Sequence, residues 1–229
     1  MIKQYEEETN LRLHLLVDSS ASMKYGQGEQ NKYEYASSIA ACLAYLANRQ
    51  QDATGLVTFD NKIRRNLSPR TSRYQLARIL EALDGTGPNN TTDLYAIMRE
   101  VAESVPRRGV LVLISDLLGV GDSLVKALSL LRKRGHDVIV FHTLHDEEID
   151  FPFTGATRFE GLEDSRFLNC NPRALREGYL EALNAFLEGT RRVCARLSVD
   201  YEMVRTNQPL DAVLAKFLSA RASMPTLKG

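Results

Sequence analysis

The sequence predicts an α/β fold: one open, mostly parallel sheet with helices on both faces and one antiparallel edge strand. Three observations predict it. Short apolar runs alternate with amphipathic helical stretches along the whole chain, the pattern of βαβ units. Two of the runs, LRLHLLVD (11–18) and GVLVLIS (109–115), lack the polar alternation of a half-exposed strand, so both belong at the centre of a sheet covered on two faces. The second and third runs are separated only by a tight turn at Asp60-Asn61, too short for a crossover, so they form an antiparallel hairpin.

The elements follow in order. Residues 11–18 form a buried strand ending in a carboxylate. A polar loop, SSASMKYGQGEQN, leads into a helix over 32–49 that places Ala36, Ile39, Ala40, Leu43, Leu46 and Ala47 on one face. ATGLVTFD (53–60) and IRRNLS (63–68) are the hairpin, with the latter at the sheet edge. SRYQLARILEALD (72–84) is amphipathic. The loop GTGPNNTTD ends in two good helix-capping residues ahead of LYAIMREVAESV. Strand 109–115 follows, adjacent to the first strand, then a helix around 123–134 and a strand at 136–144. Residues 145–171 read as irregular, with a small hairpin expected around FPFTGATRFEG (151–161). Pro172 opens a long helix to 196 after the cap Asn171. A strand at 198–204 and a helix at 209–222 complete the pattern. No repeat or low-complexity linker divides residues 1–229, so a single domain is expected.

Composition excludes several classes. Of the 229 residues, 29 are Lys or Arg and 29 are Asp or Glu, so no net field draws the chain onto nucleic acid or an anionic membrane. The basic runs Arg107-Arg108, Arg132-Lys133-Arg134 and Arg191-Arg192 lack interleaved aromatics and read as solvated surface. Gly26-Gln27-Gly28 lacks the lysine of a phosphate-binding loop. No stretch approaches the roughly 18 apolar residues of a membrane span. The three cysteines, Cys42, Cys170 and Cys194, show no metal-binding spacing and fit a reducing, cytoplasmic compartment. Cys42 and Cys194 are expected as small core residues, and His14 as a satisfied interior histidine.

In an open parallel sheet, sites gather beyond the carboxyl ends of the strands. The first strand is followed by Asp18-Ser19-Ser20-Ala21-Ser22, the 109–115 strand by Asp116, and a helix-initiating loop carries Thr91-Thr92-Asp93. If the two apolar strands are neighbours, these loops meet. Ser20, Ser22 and Thr92 then supply hydroxyls, and Asp18 and Asp116 carboxylates. An oxygen-only set suits a hard cation, Mg²⁺ or Mn²⁺, rather than Zn²⁺. The carboxylates can act through the cation's waters, which leaves a position open for a carboxylate from outside. His142 and His145 point to opposite sides of a strand and do not converge on a metal.

These residues resemble the metal-ion-dependent adhesion site of von Willebrand factor A-type domains, a Rossmann-like fold. Asp18, Ser20 and Ser22 match its Asp-x-Ser-x-Ser motif, Thr92 the second-loop threonine and Asp116 the third-loop aspartate. Two departures stand out. Asn89-Asn90-Thr91 replaces the usual glycines, so that Thr91 competes with Thr92. Leu117-Leu118 replaces the usual glycine after the aspartate. More narrowly, the chain is similar to the bacterial "domain of unknown function 58" family through YEEETNLRLHLLVDSSASM, PRRGVLVLISDLL, RGHDVIVFHTLHDEE and FPFTGATRFEGLE. Members commonly carry a further segment before the first strand, so a fragment of a longer chain is expected. The resemblance implies a non-catalytic, chaperone-like adaptor that works with a MoxR-type AAA+ ATPase. Two alternatives remain. One is a Mg²⁺-dependent phosphohydrolase of haloacid-dehalogenase-like type, disfavoured because Ser20 stands where a second acid is needed. The other is an interaction domain whose metal site is vestigial.

Overall fold

The computed structural model describes residues 11–26, 30–88, 93–105, 108–155, 157–162 and 167–222. The strands of the main sheet are β1 (Arg12–Asp18), β2 (Ala53–Phe59), β3 (Ile63–Arg70), β4 (Val110–Ser115), β5 (Asp137–Leu144) and β8 (Asp200–Arg205). Their order is β3-β2-β1-β4-β5-β8. All neighbours pair in parallel except β2 and β3. The expected fold class, the central position of β1 and β4 and their adjacency, and the antiparallel edge are therefore all present.

Side-chain alternation sorts each central strand onto two cores. From β4, Val110, Val112 and Ile114 join Leu13, Leu15 and Val17 of β1 against α1 (Lys32–Arg49), α2 (Gln75–Asp84) and α7 (Leu210–Ala222). Leu111 and Leu113 face the other way, onto α3 (Leu94–Ser104), α4 (Gly121–Lys133) and the C-terminal part of α6 (Pro172–Arg196). Every residue of β4 is buried, which explains its unbroken apolar run. Each large aliphatic side chain so placed contributes about 1.5–3 kcal/mol.

The edge strand β3 is polar and partly exposed, and it carries Pro69, a residue tolerated only where no ladder donor is needed. A Cβ on Gly55 would lie 2.6 Å from the Leu67 carbonyl and 2.9 Å from Pro69. The bulged hairpin therefore closes only over a glycine.

Helix α1 starts in a capping box. Asn31 accepts from the Glu34 amide, and the Glu34 carboxylate accepts from the Asn31 amide. Its buried face extends to Lys32, Tyr33 and Tyr35, whereas Leu46, expected in the core, is 37% exposed. Cys194 is buried and Cys42 half-buried.

The 145–171 region corrects the sequence reading. A short helix α5 (Asp146–Asp150) follows β5 directly, and the hairpin pairs β6 (Thr157–Glu160) with β7 (Phe167–Cys170) rather than closing around 151–161. Four-residue strands are too short for period-2 patterning to define their register. The FPF segment instead contributes Phe151 and Phe153 to an aromatic cluster with Phe159 and Tyr179.

Candidate metal centre

Strand β1 ends on Asp18, and the chain leaves the sheet into a 3-10 turn, Ala21–Lys24. Ser19 pins this exit, donating from its amide and its hydroxyl to the Phe59 carbonyl at the end of β2. The turn brings the Ser20 and Ser22 hydroxyl oxygens to 3.1 Å of each other. The Asp18 carboxylate accepts from the Ser20 amide at 2.8 Å and from the Ser115 hydroxyl at 2.6 Å. Ser115 ends β4 and Asp116 follows it. One Asp116 oxygen accepts from the Leu118 amide at 3.1 Å. Asp18, Ser20 and Asp116 are each 1% exposed. Four of the five expected site residues thus meet at the carboxyl ends of the two central strands. Thr92 and its competitor Thr91 lie outside the described residues. Next to them, Asp93 caps α3 by accepting from the Ala96 amide.

Two carboxylates buried together repel. Burial, and then Asp116, push Asp18 up to about 6, while bonds from Ser115 and Ser20 pull it partly back. The second Asp116 oxygen is held by a group the sequence reading missed. The Lys32 ammonium lies 2.7 Å from it and 2.8 Å from a Glu148 oxygen, and Lys32 is wholly buried. Burial pulls the Lys32 ammonium down, but Asp116 and Glu148 outweigh it and leave its pKa above the ordinary value. Lys32 occupies the first position of α1, where the helix dipole disfavours a cation. A lysine directly after an asparagine cap was therefore the one available hint of a buried carboxylate partner. Glu148 gave none, lying in the acidic run of α5.

The donor set fits a hard cation. All of its atoms are oxygens, and two are neutral hydroxyls already side by side. A carboxylate offers about four acceptor sites over its two oxygens, so it can serve protein donors and a cation's waters together. Among the described residues no group of three or more His, Cys, Asp or Glu could hold a metal, so the hydroxyls are indispensable to any such site.

His142 and His145 are engaged in other bonds. His142 bonds the Asp116 carbonyl through Nε2 and the Tyr201 hydroxyl through Nδ1, both at 2.8 Å, and burial lowers it to about 4. His145 caps α5, its Nδ1 accepting from the Glu147 amide. His14 is buried as expected but not satisfied, since its Nε2 has no partner.

An open sheet of this order, with these loops at the ends of its central strands, is the architecture of the von Willebrand factor A-like folds. Within that class, the chain belongs to the family described as "Protein of unknown function DUF58", whose model matches residues 1–186. Uncharacterized proteins of Mycobacterium tuberculosis and Mycobacterium bovis are 23% identical over 225 residues, covering 96% of this chain and 70% of each relative. Among solved structures, the conserved hypothetical protein BatB from Bacteroides thetaiotaomicron superposes with a TM-score of 0.60 at 16% identity. That match covers 93% of this chain and all of BatB. An aerotolerance-related membrane protein from Bacteroides fragilis gives 0.57 at 18% identity, over 91% and 99% of the two chains. At these identities the likeness is one of fold. Among the described residues, no helix is long and apolar enough to cross a membrane.

Proposed function

We propose that this domain is a metal-ion-dependent protein-binding module without catalytic chemistry, acting in the cytoplasm as a chaperone-like adaptor of a MoxR-type AAA+ ATPase. The observation that carries the reading is the convergence of Asp18, Ser20, Ser22 and Asp116 at the ends of β1 and β4. Ser20 and Ser22, with Thr92, would hold Mg²⁺ or Mn²⁺, and Asp18 and Asp116 would hold its waters. The cation would supply an electrophilic position for a partner's carboxylate. The ATPase partnership rests on the family resemblance. The non-catalytic reading is supported by His142, whose two ring nitrogens are engaged by the Asp116 carbonyl and the Tyr201 hydroxyl rather than by the serines.

The test is calorimetric titration with Mg²⁺ and Mn²⁺, paired with a pull-down against a co-occurring AAA+ ATPase in Mg²⁺ and in EDTA. Ser20→Ala and Asp18→Ala should lose metal binding and weaken partner binding by about 2–5 kcal/mol, the scale of a truncated buried charge contact. Equal capture in EDTA and by Ser20→Ala would overturn the mechanism.

One observation favours a second reading, an interaction domain with a vestigial metal site. The Lys32 ammonium, 2.7 Å from Asp116, already supplies a cation. On that reading neither metal binds the wild type.

A further inference from the structure

Beside the candidate metal centre lies a cavity of about 400 Å³. Its walls are the aromatic cluster: Phe151 packs 5.1 Å from Phe153 and 4.6 Å from Tyr179, ring centre to ring centre, and Phe153 packs 5.2 Å from Phe159. The polar atoms at its border are turned to internal partners. The Tyr179 hydroxyl donates to the Glu148 carbonyl at 2.8 Å, and the Tyr25 hydroxyl to Glu147 at 3.1 Å. What remains facing the cavity is apolar. Its rim is built of exposed leucines: Leu168 is 53% exposed, Leu175 39% and Leu118 38%. Leaving large apolar groups in water around a preformed aromatic cavity marks a contact surface.

The cavity and the metal centre share a wall. Leu118, on the rim, donates its amide to Asp116. Glu148, also in the lining, holds Lys32 against Asp116. A small molecule in this cavity would find no polar group to orient it. Orientation must come from outside, and the neighbouring group able to give it is the cation site. Two residues of chain, the separation of Asp116 from Leu118, span at most about 7 Å.

We propose that the cavity is the second subsite of the metal-dependent docking site, and that it takes a large apolar side chain, Leu or Phe, lying one to three residues from the partner's acidic residue. The recognised partner is thus a short segment with an acidic and a bulky apolar residue close in sequence. This rests on the metal-dependent reading above.

The test uses fluorescence anisotropy with labelled peptides on the full chain. Each peptide carries one glutamate and, one to three residues away, leucine, phenylalanine or alanine. Matched peptides carry glutamine in place of the glutamate. In Mg²⁺ the leucine peptide at the favoured spacing should bind roughly tenfold or more tighter than its alanine counterpart, the scale of one fully buried leucine. The double variant Leu168→Gln/Leu175→Gln changes only exposed positions and adds no charge. It should shrink that ratio to about threefold or less. A ratio near one in the wild type, a ratio the double variant leaves intact, or no binding by any peptide overturns the proposal. Concentration-dependent self-association abolished by the double variant, with no peptide preference, also overturns it and assigns the cavity to a second copy of the chain. If leucine preference persists in EDTA and with the glutamine peptides, and the double variant removes it, the cavity binds apolar residues but the metal-dependent reading fails. If acidic peptides need Mg²⁺ but ignore leucine, the metal reading stands and the subsite does not.

Discussion

The two ends of the same central strands treat buried polar groups in opposite ways. At the carboxyl end, Asp18 with Ser20 and Ser115, and Asp116 with Lys32 and Glu148, form two adjoining bonded sets, with both oxygens of each aspartate accepting a hydrogen bond. At the amino end, His14 of β1 and Thr54 of β2 are buried with a side-chain atom unpartnered. His136 sits buried just before β5. The amino end tolerates this because its groups are neutral. Burial holds His14 at about 4, with His136 and Arg12 adding repulsion, so the imidazole carries no charge at pH 7 and leaves only a modest cost of about 1–3 kcal/mol. The carboxyl end concentrates charge that must be compensated. An unpaired polar atom marks packing there is no need to perfect. Buried carboxylates gathered at a strand end, only partly neutralised by one lysine, mark the candidate site.

The largest effect should come from breaking that compensation. Lys32→Met leaves the buried Asp116 and the half-buried Glu148 without their cation, and should destabilise the metal-free protein by about 3–5 kcal/mol at pH 7, read by urea denaturation. Adding Asp116→Asn should recover part of the loss, because it removes one of the two stranded charges. A Lys32→Met variant as stable as the wild type would mean that the ion triad is not what neutralises this end.

The amino end should reveal itself through pH. A histidine whose folded pKa is depressed contributes stability that is complete above its unfolded value of 6.5. That stability is lost as pH falls towards the folded value, because the unfolded chain then binds the proton that the folded one refuses. His14 and His142, both lowered to about 4, should therefore each remove up to about 3 kcal/mol between pH 6.5 and 4. His14→Phe keeps the shape and deletes the titration. It should flatten the acid limb by about one histidine's share while leaving stability at pH 7.5 unchanged or slightly raised. Denaturation midpoints at half-unit steps of pH would measure it, and an acid limb as steep as the wild type's would count against the buried neutral imidazole.

The sequence was legible where one force dominates. Strands β1 and β4 are buried on both sides, so hydrophobicity alone marked them, and α1 was bounded correctly because its face and its cap agree. The convergence of Asp18, Ser20, Ser22 and Asp116 was legible because these residues follow strand ends in order. Three things were not. The β6–β7 hairpin packs through Phe159 onto Phe151 and Phe153, and Phe151 in turn meets Tyr179 of α6, a long-range arrangement that four residues of alternation cannot encode. Leu46 obeyed the helical period yet lies on the exposed flank of α1, because the period gives a face but not how wide a strip the sheet covers. Lys32 belongs to no motif that the sequence singles out. Its partners are 84 and 116 residues away, and only the meeting of α1, β4 and α5 joins them.

The smallest effect carries the most information about why the carboxyl end is built as it is. Asp18 is pushed up to about 6, chiefly by burial and then by Asp116. A raised carboxylate contributes stability at low pH and loses it as pH rises from its unfolded value of about 4 through 6. At pH 7 the ionised Asp18 is therefore a net cost to the fold. Asp18→Asn should relieve that cost without opening a gap. Its carbonyl oxygen can still accept from the Ser20 amide, and its amide can donate to Ser115, whose hydroxyl then accepts. Losing two charge-assisted bonds offsets part of the gain, so the expected result is a metal-free protein about 1 kcal/mol more stable at pH 7, with the advantage vanishing below pH 4. Thermal denaturation in EDTA at pH 7 and pH 4 would read both. Gain of stability with loss of Mg²⁺ affinity is the signature of a group retained for binding at the fold's expense. A loss of stability at pH 7 would instead make Asp18 a structural carboxylate that holds the Ser20 turn to the end of β4.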